Sequence, residues 1–202
     1  EINNGGTTLL KDEGGTTAIS IAAAGDVTVT EDIVIGDGKY IGTSSTPSAL
    51  LFNTAGFVTN ANHPAFLAKK TGAQSSPADG ATITWDTTYI NQGSDFSTAN
   101  NNFTAPVNGS YFFTWSIRVT TLNADNTFFS IYCVATSRTF ADLPILPVAT
   151  IDAGSGLPYW GFDGSTLVDM TANDTVHLTI EFDNTAPASI HANSHFSGFL
   201  VC

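Results

Sequence analysis

The stretch FTAPVNGSYFFTW, residues 103–115, decides the fold class of this 202-residue chain. Proline fixes φ and cannot donate a ladder hydrogen bond, so Pro106 predicts the end or edge of a strand. The pair Asn108-Gly109 tolerates positive φ and is typical of the tight turn of a β-hairpin. The sequence therefore predicts a hairpin in which one strand ends at Phe103 and the next begins directly after Gly109.

Beyond this turn, apolar and polar side chains alternate with the period of two that is typical of a β-strand. Phe112 and Thr114 belong to one face of the predicted strand, and a core-facing set belongs to the other. The same alternation recurs over residues 176–182, and helical periodicity is nearly absent, so the chain is predicted to be all-β. The core-facing set is Tyr111, Phe113, Trp115, Ile117 and Val119.

A wider spacing of ring and turn residues extends this pattern upstream. It consists of Trp85, Asn91, Phe96, Phe103, Gly109, Tyr111, Phe113 and Trp115. At these intervals the residues resemble the aromatic signature of the C1q domain, the head that shares its fold with the tumour necrosis factor superfamily. Trp85 and Trp115 replace other rings of the family pattern, and both keep an aromatic side chain.

Three further landmarks follow in the family order: HPAFLAKK (63–70), GSTLVDMTANDTVHLTIEF (164–182) and SHFSGFLVC (194–202). The resemblance implies a ten-strand jelly-roll sandwich that forms a homotrimer about a three-fold axis. The predicted organisation is a stem segment, residues 1–62, followed by a C1q-like head, residues 63–202.

The predicted stem consists of very short alternating strands separated by Gly, Asn and Asp turn signals. Its clearest alternations are Ile19/Ile21, Val27/Val29 and Ile33/Ile35. Two apolar side chains per strand cannot build a core within one chain of this length, so a three-chain β-rich stem is predicted. The alternative is a disordered linker. The texture of this segment resembles the β-rich stems of bacteriophage tail fibres.

Composition excludes several classes of protein. The net charge is −12 and the chain has no basic run, which argues against a nucleic-acid partner. No apolar stretch approaches the length of a membrane span.

Cys133 lies in an apolar run and is predicted to be a buried thiol, and Cys202 is the other cysteine. The chain begins at Glu1 without a signal sequence, so it is expected to be a fragment of a longer protein.

The sequence offers little for catalysis. None of the histidines (His63, His177, His191 and His195) accompanies a nucleophile-elbow motif. The carboxylate pairs Glu31-Asp32 and Glu181/Asp183 lie in stretches that are typical of solvated strand faces or turns. The chain is therefore predicted not to be an enzyme and to need no cofactor. Because some C1q heads bind calcium, oxygens of Asn123, Asp125 and Asn126, or of Asp152, are possible ligands, with ordinary turn residues the favoured interpretation.

The resembled fold places both termini at the stem end and three connections at the free tip: residues 122–126, 152–163 and 184–193. Binding residues favour such loops on a rigid scaffold. Tyr159 and Trp160 could contact a receptor or lie in the trimer interface. The candidate receptor-binding residues are Asn123, Asp125, Asn126, Tyr159, Trp160, Asn184, His191 and Asn193.

These observations predict the distal fragment of a phage tail fibre whose tip binds a host surface glycan or protein receptor. It would be extracellular, on the virion, and would join other tail proteins through the part that precedes Glu1. The alternatives are a bacterial surface or secreted C1q-like adhesin or filament protein, and a structural trimerisation head without its own ligand. A glycan-cleaving tail protein is the last alternative.

Overall fold

The computed structural model describes two parts of the predicted stem and most of the predicted head. Regular secondary structure in the described ranges is entirely β-strand, which confirms the all-β prediction. The described residues are 39–41, 50–120, 122, 126, 128–142, 159–183 and 188–202.

In chain order the strands are β1 (Lys39–Ile41), β2 (Leu50–Phe52), β3 (Val58–Thr59), β4 (Ala65–Lys69), β5 (Thr87–Gln92), β6 (Phe96–Ser97), β7 (Asn102–Thr104), β8 (Gly109–Thr120), β9 (Phe129–Ala135), β10 (Thr139–Asp142), β11 (Tyr159–Met170), β12 (Thr175–Phe182), β13 (Ser189–Ile190) and β14 (His195–Leu200).

Two antiparallel sheets form the head. The first, which we call the β8 sheet, has the order β11-β8-β14-β4-β5, with β13 paired to the end of β8. The second, the β9 sheet, has the order β10-β9-β12-β7-β6. The described head thus has one strand more than the ten predicted. The additional strand is the two-residue β13, a local pairing too short to leave a periodic signal in the sequence.

The predicted hairpin at Asn108-Gly109 is wrong. β7 pairs with β6 and β12 in the β9 sheet, whereas β8 pairs with β11 and β14 in the β8 sheet. Residues 105–108 therefore cross from one sheet to the other. The amide oxygen of Asn108 accepts a hydrogen bond from the Ala172 backbone N–H (2.8 Å), and the Tyr111 hydroxyl donates to the Val107 carbonyl (2.8 Å).

The predicted core-facing alternation is confirmed. All five residues, from Tyr111 to Val119, are at most 3% exposed and lie between the two sheets. Rings from both sheets pack there: the Phe66 ring lies 4.6 Å from Phe96 and 5.2 Å from Phe103, centroid to centroid. The Asn91 amide fixes the approach of β6, because it donates to the Phe96 carbonyl (2.9 Å) and accepts from the Phe96 N–H (3.0 Å).

The alternations predicted at residues 19–35 lie outside the described residues. The described part of the 1–62 segment is a small antiparallel sheet, β1-β2-β3. Ile41, Leu50, Phe57 and Val58 in this part are exposed. The Gln92 side chain of the head donates to the Asn60 carbonyl across the junction (2.7 Å). The three-chain stem stays a prediction.

Candidate interaction face and tip

In each strand of the β8 sheet, every second side chain points to the outer face of the sheet. Register places Leu167 opposite Phe112, and Phe112 opposite Phe199. Leu167 is 56% exposed and Phe199 is 45% exposed, and the rings of Phe112 and Phe199 lie 5.7 Å apart. We call Leu167, Phe112 and Phe199 the apolar row. Large apolar side chains that adjoin in this way on a sheet surface are typical of a contact surface.

Four residues earlier on β11 and β14 than the apolar row, the same face becomes polar. Asp163 lies opposite Ser116, Ser116 lies opposite His195, and His195 lies opposite Lys69. We call these four residues the charged row. A shallow groove of about 400 Å³ runs over it, with Thr114, Ser116, Asp163, Ser165 and His195 in its lining.

A second groove, of about 320 Å³, lies on the β4 side of the charged row. The Lys69 Nζ atom lies 5.2 Å from the centroid of the Tyr89 ring, which is 63% exposed. Such a cation held over an aromatic face is attracted by the ring quadrupole. The groove is lined by Leu67, Lys69, Tyr89, Asn193, His195 and Ser197.

At the far end of this face, Tyr159, Arg118 and His191 form a cluster. The guanidinium carbon of Arg118 lies 5.3 Å from the Tyr159 ring centroid, and the His191 ring meets the same ring edge-on at 5.2 Å. Ser194 fixes the adjoining turn, since its Oγ accepts from the Arg118 N–H (3.0 Å) and donates to the His191 carbonyl (2.9 Å). The cluster offers an aromatic ring, a fixed positive charge and an imidazole together, and Asn193 is exposed beside it.

The structure brings only part of the predicted receptor-binding set together. Tyr159, His191 and Asn193 lie at one end of the β8 sheet, whereas Asn126 is fully buried. Trp160 is partly buried and packs against the core. Asn123, Asp125, Asn184 and the possible calcium ligand Asp152 lie outside the described residues.

The predicted loop of residues 152–163 is wrong at its C-terminal end, because its last five residues belong to a strand. β11 already begins at Tyr159, because its backbone pairs in register with Thr120 at the end of β8. Thr120 also pairs with Ser189 of β13. Tyr159 and Ser189, which belong to two of the predicted tip connections, therefore meet at Thr120, which precedes the third; that the three connections form one receptor-binding tip stays a prediction.

Sequence reasoning missed Arg118, Lys69 and Tyr89. Arg118 occupies the outward phase between the buried residues Ile117 and Val119, so alternation alone places it on the outer face. Its position beside Tyr159 depends on the pairing of β8 with β11, which the sequence pattern does not specify.

Two carboxylates, Asp79 and Glu181, lie close together beside β12 of the β9 sheet. Burial, with Asp79 close by, raises the pKa of Glu181. Asp79 accepts a hydrogen bond from the Phe182 N–H (2.8 Å), and Glu181 accepts one from the Thr179 hydroxyl (3.3 Å). The described ranges contain no group of three or more His, Cys, Asp or Glu side chains that could hold a metal ion. They also contain no helix long and apolar enough to cross a membrane.

The antiparallel sandwich, with β14 inserted between β8 and β4, defines a jelly-roll module. The family model of the C1q domain matches residues 65–201, more than half of the chain, so the chain belongs to the C1q domain family. Domains of this family are generally non-enzymatic binding or structural modules; they are typically extracellular and typically form trimers.

Two solved structures are similar to this chain. The globular domain of zebrafish complement 1qA protein is 16% identical, with a TM-score of 0.49, and the match covers 69% of this chain and 98% of that one. Murine APRIL is 10% identical, with a TM-score of 0.48, and the match covers 69% of this chain and 99% of that one. No curated protein matches the sequence.

Proposed function

We propose that this chain is the distal part of a phage tail fibre: a homotrimeric, non-enzymatic adhesion protein whose C1q-like head binds a host cell-surface receptor. Membership of the C1q domain family supports the trimer. The tail-fibre context is supported by the sequence texture of the segment before the head, which resembles phage fibre stems. The protein would be extracellular, carried on the virion.

The apolar row supports an assembly through the outer face of the β8 sheet. Leu167 and Phe199 leave about half of their surface in water in the single chain. Covering such side chains is favourable by roughly 25 cal/mol per Å² of apolar area. Two further copies of the chain would cover this row around a common axis.

The single observation that carries the receptor-binding proposal is the cluster of Tyr159, Arg118 and His191. An exposed aromatic ring can stack on the apolar face of a sugar, and the guanidinium, the imidazole and the Asn193 amide can hydrogen-bond its hydroxyl or acidic groups. This chemistry favours a surface polysaccharide as the receptor. Three such clusters per head would give avidity without a tight single site.

The first experiment is the solution mass of the full chain by light scattering. A mass about three times that of the 21.1 kDa chain is expected. A stable monomer at micromolar concentration would overturn the trimeric proposal.

The second experiment tests the receptor site on an array of purified bacterial surface polysaccharides. The wild-type chain is expected to bind a subset of the array, and Tyr159→Ala is expected to bind it at least 10-fold more weakly with the same mass. Phe57→Ala removes a ring that is 67% exposed in the segment before the head, and it should bind as the wild type does. A lower mass for Tyr159→Ala would instead assign Tyr159 to the contact between copies. Binding unaffected by Tyr159→Ala would reject this site.

A further inference from the structure

Charge is unevenly distributed across the outer face of the β8 sheet. The acidic side chains Asp163 and Asp169 point outward from β11, which is an edge strand of the sheet. The basic groups lie on the strands further in: Lys69 on β4, His195 on β14 and, nearer the tip, Arg118 on β8, whose guanidinium lies over the Tyr159 ring. In a chain with only 6 Lys and Arg residues and a net charge of −12, the position of each exposed cation is informative.

The charged row does not neutralise itself within one chain. Asp163 and His195 face the same way but are separated by β8, so their backbones are about 10 Å apart at roughly 4.8 Å per strand. Across the described residues the one ion pair is between Lys70 and Asp86, in the loop region beside β4. Among the described residues the side chains of Asp163 and His195 have no hydrogen-bond or ion-pair partner, and the Lys69 amine lies over the Tyr89 ring.

The apolar row and the charged row repeat at the same interval on two strands. Asp163 and Leu167 are four residues apart on β11, and His195 and Phe199 are four residues apart on β14. In an extended strand this interval is about 13 Å at roughly 3.3 Å per residue. β11 and β14 both run antiparallel to β8, so they run parallel to each other and their intervals have the same sense.

Rotation about a three-fold axis that lies along the strands preserves strand direction. If β11 of one copy lies over β14 of the next copy with Leu167 against Phe199, the equal intervals bring Asp163 against His195, with Lys69 one strand further. This contact joins two different surfaces, so it is heterologous, and three such contacts close into a ring.

Resting on the trimer proposed above, we infer that Asp163 of one copy pairs with His195 and Lys69 of the next copy. This acid–base contact sets the register of a head-to-tail ring, while the apolar row supplies most of the stabilisation. Complementary charges at a contact suppress incorrect partners and fix register more than they add affinity. The partner of this face is thus the acidic edge strand, β11, of a second copy of the chain.

A charge exchange tests the inference in the full chain. Asp163→Lys places a cation against His195 and Lys69 of the next copy, and Lys69→Glu places an acid against Asp163. Each single variant is expected to dissociate at concentrations at least 10-fold higher than the wild type, measured by light scattering on a dilution series. The double variant Asp163→Lys/Lys69→Glu restores opposite charges, so it should recover most of the lost association.

Arg138→Glu is the matched control. It makes the same change of charge as Lys69→Glu, at an exposed position in the turn between β9 and β10 of the other sheet. Its association should equal that of the wild type. Near-ultraviolet circular dichroism checks that each variant keeps its aromatic core; if a charge reversal unfolds the chain, Asp163→Asn and Lys69→Gln replace it, with a smaller loss expected.

The outcomes separate this inference from the proposal on which it rests. A trimeric wild type whose single variants all associate normally would reject the charge pair and leave the trimer standing. Weakened single variants without recovery in the double variant would also reject the pair, because recovery requires that the two charges meet. A monomeric wild type would reject both.

Discussion

Gly198 lies where two rings close over the centre of β14. A Cβ atom at this position would lie 2.5 Å from Phe113 Cδ1 and 2.9 Å from Phe66 Cε1. Both rings are buried and pack against further aromatic rings, among them Phe103 and Phe196. The stretch SHFSGFLVC thus has a glycine at position 198 because the facing aromatic side chains leave no room for a methyl group.

We therefore expect Gly198→Ala to lower the free energy of unfolding by about 1–3 kcal/mol, the usual cost of overpacking a core. Gly161→Ala is the control on β11 of the same sheet, since a Cβ atom there meets nothing within 4 Å. Urea unfolding followed by tryptophan fluorescence compares the two. Equal stability of both variants would contradict the packing explanation.

Cys133 lies in the core and gives the fold a dependence on alkaline pH. Burial raises the pKa of its thiol from 9.0 to about 12. Between these values the folded state holds one proton more than the unfolded state, so stability falls as pH rises. The wild type should lose roughly 1.4 kcal/mol per pH unit above pH 9 through this residue.

Cys133→Ala removes that contribution, so its unfolding free energy should fall less steeply with pH than that of the wild type. Urea titrations at several alkaline pH values measure the difference in slope. Tyrosine and lysine residues titrate in both proteins and cancel from the comparison. Cys202→Ala, which removes the exposed thiol, should keep the wild-type slope; a loss of slope there would refute the assignment to Cys133.

The sequence predicted the residues whose chemistry matches their phase in a strand, and it gave no sign of those whose chemistry does not. Lys70 is the clearest example: it continues the buried phase of Phe66 and Ala68 and is 1% exposed, although lysine is rarely buried. Its amine donates to the carbonyl and the hydroxyl of Thr84, at 3.0 and 3.1 Å. Burial lowers the pKa of Lys70, and the nearby Asp86 carboxylate opposes that shift. Only the tertiary contact with residues 84–86 explains why this amine is tolerated.

At the scale of elements, the turn of residues 171–174 carries the chain from one sheet to the other. Asn173 has a φ of 77°, in the left-handed region, and the Asp174 carboxylate accepts a hydrogen bond from the Thr171 N–H (2.8 Å). The same turn receives the crossing segment of residues 105–108: the Ala105 N–H donates to the Asp174 carbonyl, and the Asn173 N–H donates to the Ala105 carbonyl, both at 2.8 Å.

We expect Asn173→Val to destabilise the head by about 1–2 kcal/mol, because a β-branched residue is strained at positive φ. Asn173→Gly, which tolerates this backbone conformation, should retain or slightly raise stability. Thermal unfolding followed by circular dichroism distinguishes them. A valine variant as stable as the glycine variant would mean that the turn rearranges without cost.

The hairpin prediction failed at this same scale. Asn108-Gly109 correctly marked a change of direction, and β8 does begin at Gly109. A turn signal is local, however, whereas the choice of partner strand is made by residues about 60 positions away, in β11. The cluster of Tyr159, Arg118 and His191 could not be predicted for the same reason. Its members are distant in the sequence, and only strand register brings them together.

At the scale of the whole molecule, the core belongs to the head alone. The buried cluster runs from Phe66 to Phe196, and no residue before Phe66 is part of it in the described chain. The last strand before residue 63, β3, is exposed, and the division predicted there stays a prediction.

A fragment of residues 63–202 should therefore unfold cooperatively, within a few degrees of the head transition of the full chain. Calorimetry of both proteins measures this. A fragment that lacks a cooperative transition would show that residues 1–62 contribute to the folding of the head, and the domain boundary would then be misplaced.

The position of β14 has a consequence for synthesis. This strand, at residues 195–200, lies between β8 and β4 and pairs with both. Until the ribosome has made it, β4 and β8 lack the strand that joins them, and the ten buried aromatic side chains that precede it stay in water. The head therefore cannot fold progressively as it emerges. A nascent chain would need protection from aggregation until β14 is made, and a chain that stops before His195 would yield no folded head.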